Sequence, residues 1–171
     1  MRSARAITLL ETLAIASIFG VLASLAVIPA YRSYESSRAA ADAAQTLAQD
    51  ISLAEREAQD GGADQGATLL ITSAHPLSYE VLRGRPNALD PRSTLGQVIA
   101  SRAFSNAALT GGPISPATPL LFAENGSAQY RAEGEWSDQH QTLELVVGGT
   151  PDEQRTARVD VDLFTGAVSV P

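Results

Sequence analysis

The sequence predicts an α+β protein in which one long N-terminal α-helix, kinked near Pro29, packs on an antiparallel β-rich head. An almost unbroken apolar run from Ile7 to Ile28 is long enough for a membrane-spanning helix. An amphipathic segment follows and continues to Gly61-Gly62, where glycines favour a helix end. The rest of the chain consists of short alternating segments separated by Gly, Pro and Asn turns. This pattern is typical of strands and could form a small two-sheet sandwich.

The apolar run predicts a membrane anchor. Its roughly 22 residues would form a helix about 33 Å long, which matches a bilayer core of about 30 Å. Two arginines, Arg2 and Arg5, precede the run. The positive-inside rule therefore places the N-terminus in the cytoplasm and everything after Pro29 on the other side of the inner membrane. A cleaved secretory signal is one alternative, although its apolar core usually has only about 7–15 residues. An ordinary signal anchor is the other alternative.

One carboxylate, Glu11, interrupts the apolar run near its start. Such a charge costs on the order of 2.5–3.5 kcal/mol at the centre of a bilayer, so it needs a partner and a functional reason. The residues Ile7-Thr8-Leu9-Leu10-Glu11, after a short basic leader that ends in Ala6, resemble the class III signal of type IV pilins and type II secretion pseudopilins. The apolar helix that follows, with Pro29 and the tyrosines after it, is similar to the helix of that family.

The resemblance implies that a prepilin peptidase cuts between Ala6 and Ile7 and that the Ile7 amine is then N-methylated. Glu11 becomes the fifth mature residue (11 − 6 = 5). In a filament, Glu11 of one subunit could pair with the Ile7 amine of a neighbour, where a buried pair is weakly screened. The family usually has Gly before the cut, Phe after it, and its proline one residue earlier than Pro29. The first two departures bear on how efficiently the peptidase cuts the chain. The third would shift the rotational position of the kink around the helix axis.

Small residues within the apolar run, with Gly20 among them, are candidate close-packing positions between membrane helices. Ordinary apolar filler is the alternative. Thr8 and Thr12 could hydrogen-bond to the backbone of their own helix. The predicted organisation is a leader (1–6), a membrane or filament-core helix (7–30), the amphipathic second half of the helix (31–62) and a periplasmic head (63–171).

The second half of the helix has an alanine-rich stripe at three- and four-residue spacing, which predicts the face that packs on the head. Its residues are Ala40, Ala43, Ala44, Leu47, Ile51, Ala54 and Ala58. Polar residues are predicted to lie mostly on the other side: Asp42, Gln45, Gln49, Asp50, Glu55 and Asp60.

Alternating and β-branched segments predict the strands of the head. They are 67–72, 77–82, 119–123, 128–131, 142–147, 156–163 and 167–170, and 95–100 is either a strand or a short helix. Residues 88–119 are otherwise ambiguous, with a long loop marked by Gly111-Gly112-Pro113. The segment Leu121–Ser127 and the closing Thr165-Gly166 turn resemble minor pseudopilin H of type II secretion and its pilus counterpart FimT. Ala167 stands where that family often has Arg.

Composition restricts the classes of function. The chain has 19 acidic and 12 basic residues, all of the latter Arg, and no cysteine. Removing Arg2 and Arg5 with the leader would leave a side-chain charge of 10 − 19 = −9. A head this acidic repels phosphate backbones on average, so no nucleic-acid partner is expected. The absence of cysteine excludes disulfides and thiolate sites.

Other candidate sites have weaker patterns. Asp160 and Asp162 share one strand face and could bind a cation, although a solvated face is the simpler interpretation. The acidic stretch Glu133, Glu135 and Asp138 around Trp136 could form a Ca²⁺ loop but lacks fixed ligand spacing. His75 and His140 are far apart in sequence, and both are predicted to lie in loops or on the surface. No motif predicts a catalyst or a cofactor.

The sequence therefore predicts a structural subunit. The resemblance implies a minor pilin or pseudopilin that initiates or caps a type II secretion pseudopilus or type IV pilus. Its partners would be other pilins of the same filament, the prepilin peptidase, the inner-membrane assembly platform and membrane lipid. The alternative is a minor pilin whose head binds DNA or a surface. A membrane-anchored periplasmic enzyme is a third class.

Overall fold

A single long helix, α1, extends from Leu9 to Gly61 and contacts strands of both sheets of the head. The computed structural model describes residues 9–61, 66–84, 96–116, 118–132, 135–137, 142–150 and 154–171. Pro29 lies inside α1, which continues on both sides of it. The helix therefore spans both predicted halves as one element, and the kink at Pro29 stays a prediction.

The alanine-rich stripe of α1 is the face that packs on the head, as its spacing predicts. Every residue of the stripe is at most 1% exposed: Ala40, Ala43, Ala44, Leu47, Ile51, Ala54 and Ala58. Alanines allow the helix backbone to lie close to the sheets, and Leu47 and Ile51 are the largest buried side chains of the stripe. The prediction is wrong for Asp50, which is buried rather than solvated.

The head contains ten strands in two antiparallel sheets. They are β1 (Ala67–Ser73), β2 (Ser78–Arg83), β3 (Val98–Ala103), β4 (Ala107–Gly111), β5 (Leu120–Phe122), β6 (Ala128–Ala132), β7 (Glu135–Ser137), β8 (Thr142–Gly149), β9 (Thr156–Asp162) and β10 (Val168–Ser169). One sheet has the order β3-β2-β1-β5-β6-β7 and the other β10-β9-β8-β4. The predicted fold class, a long helix on an antiparallel β-rich head, is confirmed.

The strand predictions differ from the structure mainly between residues 95 and 150. The segment 95–100, predicted as either a strand or a short helix, overlaps strand β3. Strand β4 lies within the ambiguous region 88–119 and ends at Gly111, where the predicted loop begins. The strand β7 occupies part of the acidic stretch. Gly148 and Gly149, predicted to end a strand, are the last two residues of β8.

One hydrophobic core joins α1 to both sheets. The alternation of β9 is as predicted, with Val159, Val161 and the following Leu163 at most 1% exposed. Backbone hydrogen bonds link the sheets at both ends: Leu77 N–H donates to the Ala107 carbonyl at 2.8 Å, and Ala128 N–H donates to the Leu163 carbonyl at 2.8 Å. Because the two sheets and the helix share one core, the head is held to α1 over the whole second half of the helix.

Candidate functional site

The first half of α1 projects from the head as an apolar rod, which we define as residues 9–30. Among the described side chains of α1, the first buried one is Ser36. Large apolar side chains of the rod are exposed: Leu9, Leu10, Leu13, Ile15, Ile18, Phe19, Val21, Leu22, Leu25, Val27 and Ile28. The helix has an apolar window with a mean hydropathy of 2.3 in which no residue is buried, so by length and composition it could span a membrane. Water is a poor environment for such a surface, so it requires lipid or neighbouring apolar helices.

Three hydroxyl side chains of the rod are adapted to an apolar environment. The hydroxyls of Thr12, Ser17 and Ser24 donate to backbone carbonyls of the preceding turn at 3.1, 2.8 and 2.7 Å. Such bonds satisfy these donors inside the helix, so they need no water. Thr12 behaves as predicted, whereas Thr8 lies outside the described residues.

Glu11 lies in the first described turn of α1 and is exposed along with the apolar side chains around it. The predicted partner, the Ile7 amine, lies outside the described residues, as do Ala6 and the leader. The pairing of Glu11 with Ile7, the cleavage and the N-methylation therefore stay predictions.

Gly20 lies in the middle of the rod. A Cβ built there meets no atom of this chain within 4 Å beyond its own helix backbone and neighbours. Nothing in the fold of this chain thus explains a glycine at this position. Its predicted role in packing against a helix of another subunit stays a prediction.

The junction between rod and head depends on a close backbone contact that the sequence analysis missed. A Cβ added to Gly149 at the end of β8 would lie 1.7 Å from the carbonyl oxygen of Ser36. The backbones of α1 and β8 therefore touch where the rod emerges from the head. Glycine inside a strand is a known signal for such an approach, so Gly148-Gly149 could have indicated it.

A buried carboxylate fixes the edge of the larger sheet to α1. Asp50 is 5% exposed and accepts hydrogen bonds from the Tyr79 hydroxyl and the Arg102 Nε, both at 2.9 Å. Tyr79 is on β2 and Arg102 on β3, so one side chain of α1 holds two strands. Arg102 is half-exposed, with 48% of its side chain accessible. Its charge stays partly solvated, which limits the cost of burying its partner.

The electrostatics of this triad follow from burial and charge. Burial raises the pKa of Tyr79 far above its usual value, and the neighbouring Asp50 carboxylate raises it further. The hydrogen bond to Asp50 also raises the pKa of Arg102. The Tyr79 phenol therefore remains a neutral hydrogen-bond donor over the physiological pH range, and the triad holds β2 and β3 to α1. The spacing Leu47–Asp50–Ala54 places Asp50 on the apolar stripe, which was the missed sequence signal.

The two predicted glycine turns meet each other against the second half of α1. Gly126 and Gly166 have φ angles of +83° and +73°, a conformation that favours glycine. A Cβ at Gly166 would lie 2.3 Å from the Gly126 carbonyl and 3.1 Å from the carboxyl carbon of Glu55. The segments that resemble minor pseudopilin H therefore form one structural unit that ties both sheets to the helix.

The candidate cation pair has other partners. Asp160 accepts hydrogen bonds from Arg158 at 2.5 and 2.8 Å, and Arg158 also contacts Glu144 at 3.2 Å. Asp162 accepts from the backbone N–H groups of Phe164 and Thr165 at 2.9 and 3.0 Å and so caps the turn after β9. Because both carboxylates are engaged in these contacts, the structure does not support a cation site at Asp160 and Asp162. In the part of the chain that the structure describes, no group of three or more metal-ligating side chains occurs.

The other minor candidates are only partly described. Glu133, Asp138 and His140 lie outside the described residues, as does the side chain of Glu135. His75 is exposed in the turn between β1 and β2, as expected for a loop histidine.

Three arginines in the described part of the head are engaged with carboxylates. Arg83 pairs with Glu57, Arg102 with Asp50, and Arg158 with Asp160. Phosphate backbones bind to several unneutralised cations at once. The observed pairing therefore gives no support to the alternative of a DNA-binding head.

Comparison with known proteins identifies the fold. No protein-family model matches the chain, and no curated protein does. A solved structure matches it: the minor pseudopilin EpsH from the type 2 secretion system of Vibrio cholerae, with a TM-score of 0.50 and 16% sequence identity. The match covers 77% of this chain and 95% of that one. The arrangement of one long N-terminal helix on two antiparallel sheets is thus the fold of a type II secretion pseudopilin.

Proposed function

We propose that this chain is a minor pseudopilin or pilin, a structural subunit that joins a type II secretion pseudopilus or a type IV pilus through its apolar rod. The single observation that carries the proposal is the rod itself, which is exposed along its whole described length and joined to a folded head. An isolated soluble protein would not retain such a surface. A bilayer before assembly and a bundle of like helices after assembly would both cover it.

The charge of Glu11 gives the assembly step a mechanism. Cleavage after Ala6 frees the amine of Ile7, and the rods of neighbouring subunits bring that amine near Glu11. In a packed helical core the pair is weakly screened, and loss of one member of a buried pair typically costs about 3–5 kcal/mol. The pair therefore sets the axial register of the subunit as well as its affinity.

The junction fixes the second half of α1 to the head, and the rod continues the same helix. The Ser36–Gly149 contact and the Asp50 triad join α1 to both sheets. A minor subunit at the tip of a filament needs this rigidity, since a displacement of its rod must be transmitted to its head. We propose on this ground that the chain initiates or caps the filament, with the other pilins, the prepilin peptidase and the assembly platform as its partners.

Mass spectrometry of the chain recovered from sheared filaments tests the proposal. We expect a mature N-terminus at Ile7 carrying one methyl group, with the rod retained. A chain that begins at Met1, or one cut beyond Pro29 and released without its rod, would contradict the proposal. The same chain from a strain without the peptidase is the control and should remain uncut in the membrane fraction.

A further inference from the structure

The turn between β5 and β6 contains Asn125-Gly126, a dipeptide with no part in the proposed function. The chain has three asparagines, and Asn125 is the one followed by glycine, since alanine follows Asn87 and Asn106. Glycine has no side chain to shield its backbone nitrogen. In an Asn-Gly dipeptide that nitrogen can attack the carboxamide of the asparagine, so Asn125 is the asparagine of this chain most prone to deamidation.

The reaction needs only water and base. The Gly126 nitrogen forms a bond to Asn125 Cγ and loses its proton to base, the bond between Cγ and the side-chain nitrogen breaks, and ammonia leaves. Water then opens the cyclic imide at either carbonyl. One opening yields aspartate. The other yields isoaspartate, in which the backbone passes through the former side chain and is longer by one methylene group.

Hydrogen bonds of the folded turn hold both reacting groups. Gly126 N–H donates to the Ala123 carbonyl at 3.0 Å, so the attacking nitrogen is engaged. The carboxamide oxygen of Asn125 accepts from the backbone N–H and the hydroxyl of Ser127 at 3.1 and 2.7 Å, which fixes the orientation of the side chain. Because ring closure requires both groups to rotate, these bonds must break first.

Contacts with the second half of α1 keep the turn closed. Although Asn125 is exposed, Gly126 is buried. A Cβ built on Gly126 would lie 3.2 Å from Gln59 Nε2 and 3.4 Å from the Thr165 carbonyl oxygen. The turn therefore lies between α1 and the Gly166 turn without room for a longer backbone, and isoaspartate does not fit there.

We propose that Asn125 is a deamidation site that is protected while the two glycine turns are docked on α1, so that the reaction occurs only in chains whose head has opened there. Isoaspartate at this position then prevents the turn from docking again. Deamidation thus converts a reversible opening of the head into a permanent one. The reaction depends on the fold of the head and not on assembly into a filament.

Mass spectrometry of the full chain, incubated at the same mildly alkaline pH either folded in detergent or unfolded in urea, tests the proposal. Cleavage after arginine yields the peptide 103–131, which contains Asn125 and also Asn106 as an internal control. Deamidation adds one mass unit, and an isoaspartyl methyltransferase detects the isomer. At Asn125 we expect a rate at least about tenfold lower in the folded chain, which corresponds to an opening free energy of about 1.4 kcal/mol. Asn106 should react slowly in both states.

Variants separate docking from the chemistry of the dipeptide. Gly166→Ala places a Cβ 2.3 Å from the Gly126 carbonyl oxygen, so the turns must separate and the folded rate should approach the rate in urea. Ser127→Ala removes one donor to Asn125 and should raise the folded rate about two- to fivefold without changing the rate in urea. This second variant keeps the test decisive if Gly166→Ala does not fold.

Gly20→Ala, in the rod, is the matched control and should deamidate like the wild type, because its Cβ meets nothing within 4 Å. Equal rates for the folded and the unfolded wild type would overturn the proposal. An unchanged folded rate in Ser127→Ala, or in a folded Gly166→Ala variant, would overturn it as well.

Discussion

Replacing Gly149 by alanine tests whether α1 and β8 are in direct backbone contact at Ser36, just beyond the rod. The added Cβ would lie 1.7 Å from the Ser36 carbonyl oxygen and 2.5 Å from its carbon. An ordinary contact of this kind needs more than about 3 Å, so α1 and β8 must separate by more than about 1 Å. Both partners are backbone atoms and cannot rotate away. We therefore expect the upper part of the usual cost of overpacking, about 3 kcal/mol.

Thermal unfolding of the full chain in detergent, followed by the circular dichroism of the head, measures this cost. At about 2–4 °C per kcal/mol for a chain of this size, Gly149→Ala should melt about 6–12 °C below the wild type. Gly20→Ala is the matched control, since its Cβ meets nothing within 4 Å. That variant should melt at or slightly above the wild-type temperature, because alanine favours helices. Unchanged melting of Gly149→Ala would refute the close contact.

The remaining predictions concern the polar contacts of the head. Tyr79→Phe should destabilise the head by about 1 kcal/mol, and Asp50→Ala by about 1–3 kcal/mol, because the latter leaves the buried Tyr79 hydroxyl without its acceptor. Chemical denaturation of both single variants and of the double variant measures whether the two effects are coupled. Additive losses of stability would contradict the triad. Arg158 holds the pKa of Asp160 below its usual range, so this contact stabilises the fold above about pH 4 and the stabilisation is lost as the pH falls below that value. Asp160→Asn should therefore lose less stability between pH 7 and pH 3 than the wild type, and an equal loss would argue against the ion pair.

Periodicity was sufficient for the parts of the fold that follow from local sequence. The stripe from Ala40 to Ala58 has the helical spacing of a buried face, and β9 has the two-residue alternation of a strand with one face in the core. The turns at Gly126 and Gly166 were also predicted, because each needs a positive φ angle that glycine adopts without strain.

Contacts between distant segments were not predictable in this way. The charge of Asp50 predicts a solvated position, whereas its burial depends on Tyr79 and Arg102, which the fold brings to it from 29 and 52 residues away. Strand β4 pairs with β8, which is distant in sequence, with Ala107 opposite Gly149, so nothing local distinguishes β4 from the Gly- and Pro-rich loop that follows it. The close contact at Gly149 depends on where α1 crosses β8, which the local sequence does not show.

The most direct test of the central proposal is incorporation of Glu11→Ala into filaments. The rod keeps its apolar surface, so the variant should reach the membrane and be cut after Ala6 like the wild type. Its share in sheared filaments should fall sharply, in line with the cost of about 3–5 kcal/mol for an uncompensated member of a buried pair. Thr12→Ala, the neighbouring substitution that removes a hydroxyl and no charge, should be incorporated normally. Normal incorporation of Glu11→Ala would contradict the proposed docking of the rod.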